Sequence, residues 1–341
     1  MDVRGKVLVT GAAGFIGSAL CEHLASLGWV VMGLDNLNDY YSVELKLGRL
    51  KTLGFTINPL SDCSPIQSSK YHSLSFIKVD ITDRKEMENI FRSFQPDQFI
   101  NLAAQAGVRY SIENPYSYVK NNIEGFLVGL ECARHWPVKK FIYASSSSVY
   151  GSDSEVPFKE DQPVDNPVSL YAATKKSNEV MARAYKNLYN IPVIGLRFFT
   201  VYGPWGRPDM APMLFASAIL KGKKIKIFNN GNLSRDFTYI DDIVNGITKI
   251  VDSDFYSSEE DIYNIGAGSP VSLMDFISEL EDALGREAIK EFLPMQKGDV
   301  YTTYSDTSRL SKNYDYRPST KFNDGIKKFA EWYLAYFSNQ K

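Results

Sequence analysis

Cysteine and histidine are scarce in this chain, with three of each among 341 residues. Cys21, Cys63 and Cys132 stand far apart with no CxxC, and His23, His72 and His135 do not gather around them. A zinc framework and a disulfide scaffold are therefore excluded. Net charge is nearly absent too: 38 Lys+Arg against 40 Asp+Glu leave −2. No global field draws nucleic acid or an anionic membrane to such a chain. An anionic ligand must instead be held by local cations or by helix ends. No run approaches the roughly 20 apolar residues of a membrane-spanning helix. "MDVRGK" leads straight into a strand pattern without an apolar leader. These absences predict a soluble, reduced, cytoplasmic protein.

What is present is a rhythm. "KVLVT", "VVMGLD", "LSFIKVD", "QFINLA" and "KKFIYAS" are short, apolar and rich in β-branched or aromatic residues, so they read as buried strands. Helical patterns lie between and after them, at Ile16–Leu27, Arg84–Phe94, Tyr116–Arg134 and Leu170–Tyr189. This alternation predicts an α/β fold, a parallel sheet with helices on both faces, and "IPVIGLRFF" adds a sixth strand. After Thr200 the rhythm breaks. "VYGPWGRPDMAPM" reads as a loop, followed by a helix (Leu214–Leu220), a strand ("KIKIF") and a second loop, "NNGNLSRDF". Pro59–Tyr71, rich in serine and proline, reads as a surface insertion, and "YIDDIVNGITKIV" as a helix returning to the sheet.

"VLVTGAAGFIGSAL" places Gly11, Gly14 and Gly17 after a strand and at the start of a helix. Glycines there permit a tight turn, close approach of backbone to a pyrophosphate, and packing of helix on strand. The free amides of the helix N-terminus face the phosphates. Close helix packing alone is the other reading of this spacing. Asp35, ending the second strand, stands where a carboxylate binds adenosine ribose hydroxyls and repels a 2′-phosphate, which favours NAD over NADP. Asp80 and Ile81 fall where the adenine would lie, although Asp80 equally suits a strand-end cap. Ala103 and Ala104 are small enough to let a cofactor approach the backbone.

Tyr171 and Lys175 form YxxxK and share a helix face. An ammonium near the phenol, with a positive nicotinamide, lowers the tyrosine pKa from about 10. The result is a base that takes a hydroxyl proton while hydride leaves for NAD.

The motifs "TGAAGFIG", "NLAAQAGVRYS", "ASSSSVYG", "YAATK", "GLRFFTVYGPWGRPDMA", "SRDFTYIDDIV" and "QKGDV" span nearly the whole chain. Through them it resembles the extended short-chain dehydrogenase/reductases of the nucleotide-sugar epimerase branch, UDP-glucuronate 4-epimerases above all. The resemblance implies a Rossmann-type doubly wound parallel sheet with a smaller C-terminal α/β substrate-binding domain. Residues 1–199 plus about 237–266 would form the NAD-binding domain, and about 200–236 plus 267–341 the nucleotide-sugar-binding domain. It implies NAD contacts from Gly11, Gly14, Phe15, Ile16, Gly17, Asp35, Asn36, Asp80, Ile81, Leu102, Ala103, Ala104, Asn121, Tyr171, Lys175 and Phe198.

Ser146 takes the position of the hydroxyl that bridges sugar O4 and the tyrosine. Dehydratases of the branch carry acids at the next two positions, here Ser147 and Ser148, and UDP-xylose-forming decarboxylases a glutamate at the position of Ser148. The chain is thus equipped to oxidise and reduce C4 and not to eliminate. Ser145 reads as packing or capping. Thr200 replaces the asparagine of galactose epimerases, and Arg207 offers a guanidinium for a C6 carboxylate, or is a loop-surface cation. Arg235 matches a nucleotide-phosphate contact, or pairs with Asp236 or Asp241. Asp299 matches an acid near the uridine ribose, Gln296 stands where those relatives have arginine, and Arg109 is a further candidate cation.

The implied reaction is redox-neutral: Tyr171 removes the O4 proton with Ser146 bridging, hydride passes from C4 to NAD, the 4-keto sugar turns, and hydride returns to its other face. The implied partners are a UDP-sugar, with a UDP-uronate favoured, and a second copy, the homodimer pairing Tyr116–Arg134 and Leu170–Tyr189. No nucleic acid or membrane partner and no metal is expected, and polysaccharide biosynthesis is the implied setting. A UDP-glucose or UDP-N-acetylglucosamine 4-epimerase, a UDP-glucuronate decarboxylase and a non-catalytic NAD-binding sensor are the alternatives. Ser148 counts against the decarboxylase, and intact Ser146, Tyr171 and Lys175 against the sensor.

Overall fold

The computed structural model describes residues 4–56, 64–152, 154–259, 261–296 and 300–338. Its strands, in chain order, are β1 (Lys6–Thr10), β2 (Val30–Asp35), β3 (Ile66–Gln67), β4 (Leu74–Lys78), β5 (Gln98–Asn101), β6 (Lys140–Ser146), β7 (Val193–Phe198), β8 (Thr200–Tyr202), β9 (Lys224–Ile227), β10 (Ser234–Tyr239), β11 (Ile262–Ile265), β12 (Pro270–Ser272) and β13 (Ile289–Phe292). The main sheet runs β11-β7-β6-β5-β1-β2-β4-β3. All its neighbours are parallel except the edge pair β3–β4. Along β1 the side chains alternate between two cores: Val7 and Val9 join one apolar cluster and Leu8 the other, so both faces of the sheet are covered. The chain winds outward from β1 in one direction through β2 and β4, and in the other through β5, β6, β7 and β11. The carboxyl ends of β1 and β5 therefore flank a switch point, where open α/β sheets bind ligands.

Local chemistry fixes the helices. Asp83 accepts from Glu86 N at 3.1 Å to cap Arg84–Phe94, and left-handed Gln95 ends it. Ser169 accepts from Ala172 N at 3.1 Å to start Leu170–Tyr189. The expected Tyr116–Arg134 helix runs from Pro115 to His135 but widens to a π turn over Val119–Glu124. Such turns re-aim side chains, and this one carries Asn121 at the cleft and Asn122 toward Gln105.

Three expectations are corrected. "NNGNLSRDF" is not all loop: Ser234–Tyr239 pairs parallel with β8 and antiparallel with β12. The loop expected at "VYGPWGRPDMAPM" gives its first two residues to β8 and its last three to the helix Ala211–Leu220, which starts three residues before the expected Leu214. Within the supposed insertion, Ile66–Gln67 adds an antiparallel edge to β4, while 57–63, with Cys63, lies outside the described residues. Isolated residues of such short strands carry too little periodicity to be read. β9 and β13 make a separate parallel pair. Among the described residues no helix is long and apolar enough to cross a membrane.

Candidate functional site

The cleft of about 360 Å³ at the switch point gathers most of the residues singled out from the sequence. The glycine loop closes it on one side. Gly11 adopts φ 71°, and a Cβ there would meet Ala103 N at 2.9 Å. A Cβ on Gly17 would lie 2.1 Å from Gly11 O, so the helix can pack on the turn only as glycine. The Phe15–Ser26 helix opens with no side-chain cap at Gly14, which leaves its first turn facing the cleft. Thr10 donates to Asn101 at 2.6 Å and accepts from Ala103 N at 3.0 Å, tying the loops after β1 and β5 together.

At one end of the cleft Asp35 accepts from Ala13 N at 3.2 Å and Leu37 N at 2.8 Å. Lys46 lies beside it and donates to Asn38 O and Oδ1 at 2.7 and 2.8 Å. Burial pushes its ammonium down, against the pull of Asp35. Ile81, Leu102, Ala103, Ala104, Asn121 and Phe198 line the middle. Gly125 lets its helix approach Ile81, because a Cβ there would sit 2.6 Å from Ile81 Cδ1. Asp80 stands behind this lining. It accepts from Asn36 Nδ2 at 2.9 Å, Thr82 N at 2.9 Å and Thr82 Oγ1 at 2.8 Å. Burial alone would raise its carboxyl, and these hydrogen bonds hold it below the usual range. Its geometry is the strand-end cap, through which it fixes cleft-lining Asn36.

At the other end lie Tyr171, Lys175 and the serines. Lys175 donates to Ala144 O at 2.7 Å, and burial lowers its ammonium to about 8. Burial raises the Tyr171 phenol, while a hydrogen bond with Ser146 and the charge of Arg207 pull it down. The net direction is upward, and Ser146 and Arg207 are the groups that oppose it. Ser146 Oγ accepts from Ser148 N and donates to Ser148 Oγ, both at 3.1 Å. Ser147 and Ser148 line the cleft and also a smaller cavity of about 150 Å³ that holds Thr200 and Arg235. Ser145 turns away and donates to buried Glu179 at 2.6 Å.

Arg207 lines the cleft, but its Nε and Nη2 meet Asp209 at 3.0 and 2.5 Å. Asp209 Oδ2 also accepts from Tyr40 OH at 3.0 Å. Arg235 donates to Ser234 O at 2.8 Å and Tyr301 O at 3.2 Å. The expected alternative partner Asp236 is taken by Ser305 N, Ser305 Oγ, Ala267 N and Gly268 N. Arg109 places its guanidinium 5.4 Å from the Phe228 ring centre and stands outside the cleft lining. Asp299 lies outside the described residues.

A tyrosine, a lysine and the serines thus stand in one cleft with the glycine-opened helix, and comparison with known proteins shows the family. The family model of the NAD dependent epimerase/dehydratases matches residues 7–266. The chain belongs to that family. Protein CapI of Staphylococcus aureus is 46% identical over 97% of this chain and 99% of its own. UDP-glucuronate 4-epimerase 4 of Arabidopsis thaliana is 43% identical over 98% of this chain and 76% of its own. The crystal structure of UDP-glucuronic acid 4-epimerase from Bacillus cereus, in complex with UDP-glucuronic acid and NAD, superposes with a TM-score of 0.86 at 35% identity. That match covers 97% of this chain and 99% of the other.

This member of the epimerase/dehydratases also holds residues that sequence reasoning passed over. Arg49, fully buried, donates to Ala13 O, Tyr41 OH, Trp205 O and Gly206 O. Asn122 accepts from Gln105 N at 2.8 Å and donates to Gln105 O and Thr174 Oγ1, both at 3.0 Å. Glu179 holds Arg197 through two contacts, of 2.8 and 2.9 Å. Glu179 alone had a legible signal, since it extends the Tyr171–Lys175 spacing by one more turn.

Proposed function

We propose that the chain is an NAD-dependent 4-epimerase interconverting UDP-glucuronate and UDP-galacturonate through a 4-keto intermediate. The observation that carries this reading is that Tyr171, Ser146 and the guanidinium-bearing Arg207 face one cleft. A base for a sugar hydroxyl and a cation for a sugar carboxylate thus stand together, and two of the three relatives named above, from Arabidopsis thaliana and Bacillus cereus, are UDP-glucuronate 4-epimerases.

The cleft suits NAD: the glycine turn admits a pyrophosphate, and Asp35 closes the ribose end against a 2′-phosphate. Gly11, Gly14, Phe15, Ile16, Gly17, Asn36, Ile81, Leu102, Ala103, Ala104, Asn121 and Phe198 would complete its walls, with Asp80 acting through Asn36. When bound, NAD supplies a reversible hydride acceptor for C4. Tyr171 takes the O4 proton with Ser146 bridging, and Lys175 holds the strand end through Ala144. Ser147 and Ser148 supply no acid or base near neutral pH, so elimination is not promoted. Thr200 and Arg207 would hold the C6 carboxylate so that the C5–C6 bond stays out of line with the C4 ketone, which opposes loss of carbon dioxide from a β-keto acid. Arg235, and with it Asp299 and Arg109, would face the nucleotide.

The same reading divides the chain into an NAD-binding part, 1–199 plus about 237–266, and a nucleotide-sugar part, about 200–236 plus 267–341. It also pairs two copies through the helices at 115–135 and 170–189. Their exposed Tyr116, Val119, Leu127, Val180 and Leu188 support the pairing. The setting that goes with this reading is polysaccharide precursor supply in the cytoplasm. The test is to incubate pure protein with UDP-glucuronate, UDP-glucose and UDP-N-acetylglucosamine without added NAD and to identify products by NMR. UDP-galacturonate is the expected product; turnover confined to a neutral sugar would overturn the uronate reading.

A further inference from the structure

The loop that carries Arg207 is built rigidly, and the side chain on it is not free. Trp205 adopts φ 63°, a left-handed conformation that a bulky residue holds only under constraint. The constraint is visible. Trp205 packs against Trp332 and Tyr336 with ring centres 5.2 and 4.8 Å apart, and over Gly48, where a Cβ would come within 2.8 Å of it. Arg49 donates to the carbonyls of Trp205 and Gly206 from beneath. These contacts hold the backbone that leads into Arg207.

That guanidinium presents its Nε–Nη2 edge to Asp209, the edge whose spacing matches a carboxylate. Asp209 is in turn held by Tyr40, on the chain that follows Asp35. Arg207 lines the cleft and Asp209 adjoins it outside that lining; their side chains are 24% and 32% exposed, so the guanidinium is within reach of a ligand. Asp209 therefore offers Arg207 the same chemical group that a uronate would.

Resting on the 4-epimerase reading, we infer that Asp209 is a returning counter-ion for Arg207. It yields the guanidinium when the substrate's C6 carboxylate arrives and takes it back when that carboxylate leaves. A 4-keto uronate must turn to present its other face, and the carboxylate on the adjoining carbon turns with it. An arginine with no second partner would resist that release, because breaking a pair in a partly dried site leaves both charges uncompensated. Asp209 weakens the grip on the bound sugar and stabilises Arg207 while the sugar turns. It is a positioning residue, and it favours turnover over tight binding.

Asp209→Asn keeps the shape and removes the charge. On UDP-glucuronate the expected result is a lower KM, by about tenfold, the scale of one charge-assisted contact, together with a lower kcat. Quenching the reaction with borodeuteride should place more deuterium at C4 than in wild type, since the 4-keto sugar waits longer before turning. The inhibition constant of UDP-glucose, which lacks the carboxylate, should stay nearly constant. In an Arg207→Met background, Asp209→Asn should leave the preference between the two nucleotide sugars unchanged, which separates coupling from a folding defect. A raised KM without extra 4-keto sugar, parallel shifts for both nucleotide sugars, or no change would each overturn the inference alone. Wild-type protein inactive on UDP-glucuronate would overturn the uronate reading and this inference with it.

Discussion

The buried pair Glu179–Arg197 makes a quantitative stability prediction beneath the site. Their side chains are 6% and 3% exposed, and two contacts of 2.8 and 2.9 Å join them. Glu179 also accepts from Ser145 at 2.6 Å, and Arg197 lies 4.8 Å from the Tyr150 ring centre. Replacing Arg197 by Met leaves a carboxylate in the interior with a single hydroxyl donor. Such half-broken pairs cost about 3–5 kcal/mol, a large share of the roughly 5–15 kcal/mol that folded proteins possess. Replacing both residues by Met removes both desolvation terms and leaves mainly the Ser145 hydroxyl without its acceptor, about 1–3 kcal/mol. The double variant should therefore be the more stable of the two. The assay is urea unfolding with NAD at one fixed saturating concentration, because bound ligand adds its own stabilisation. A single variant losing under about 1 kcal/mol would refute the assignment of a desolvated, mutually dependent pair. So would a double variant no better than the single. The consequence should reach catalysis, since Ser145 precedes Ser146 on β6 and Glu179 follows Lys175 by one helical turn.

Tyr171→Phe should retain fold and NAD binding while turnover falls at least about 10²-fold, the scale of general acid–base catalysis; near-native rates would place the base elsewhere. Lys175, lowered by burial from 10.5 to about 8, should give kcat/KM an alkaline limb near that pH, and Lys175→Met should lose the limb. The sign for stability is set by the same depression. Between about 8 and 10.5 the unfolded chain binds more protons than the folded one, so the Lys175 contribution to stability improves as pH rises through that window. At pH below 8 the full cost of the buried ammonium is present, and a Lys175→Met urea series that erased none of this slope would contradict it. Arg207→Ala should impair UDP-glucuronate more than UDP-glucose, by about tenfold to somewhat over a hundredfold, and should release carbon dioxide and a pentose product, both followed by NMR and gas capture. Equal losses on the two substrates would remove Arg207 from the carboxylate site.

The sequence by itself determined the parts of the site whose chemistry is local. Gly11, Gly14 and Gly17 are legible because a turn, a close approach and a helix–strand contact each demand a missing Cβ within seven residues. Tyr171 and Lys175 are legible because four residues are one helical turn. Asp35 is legible because it closes an apolar run. The roles expected of Ser146, Ser147 and Ser148 came from the family resemblance, and the parallel sheet was legible in the alternation of apolar and amphipathic segments. Tertiary structure decided the rest. Asp80 caps its own strand end and serves the cleft through Asn36, a choice its position left open. Arg207 meets Asp209 nearby, but the Tyr40 hydroxyl that completes the cluster comes from 169 residues away. Arg49 reaches Trp205 across 156 residues. Ser145 finds Glu179 only because β6 and the Leu170–Tyr189 helix pack together. Periodicity encodes which face of an element is buried, and it carries no information about which distant side chain will complete a charge or a hydrogen bond there. That pairing follows from how the faces stack, and only the folded chain sets it.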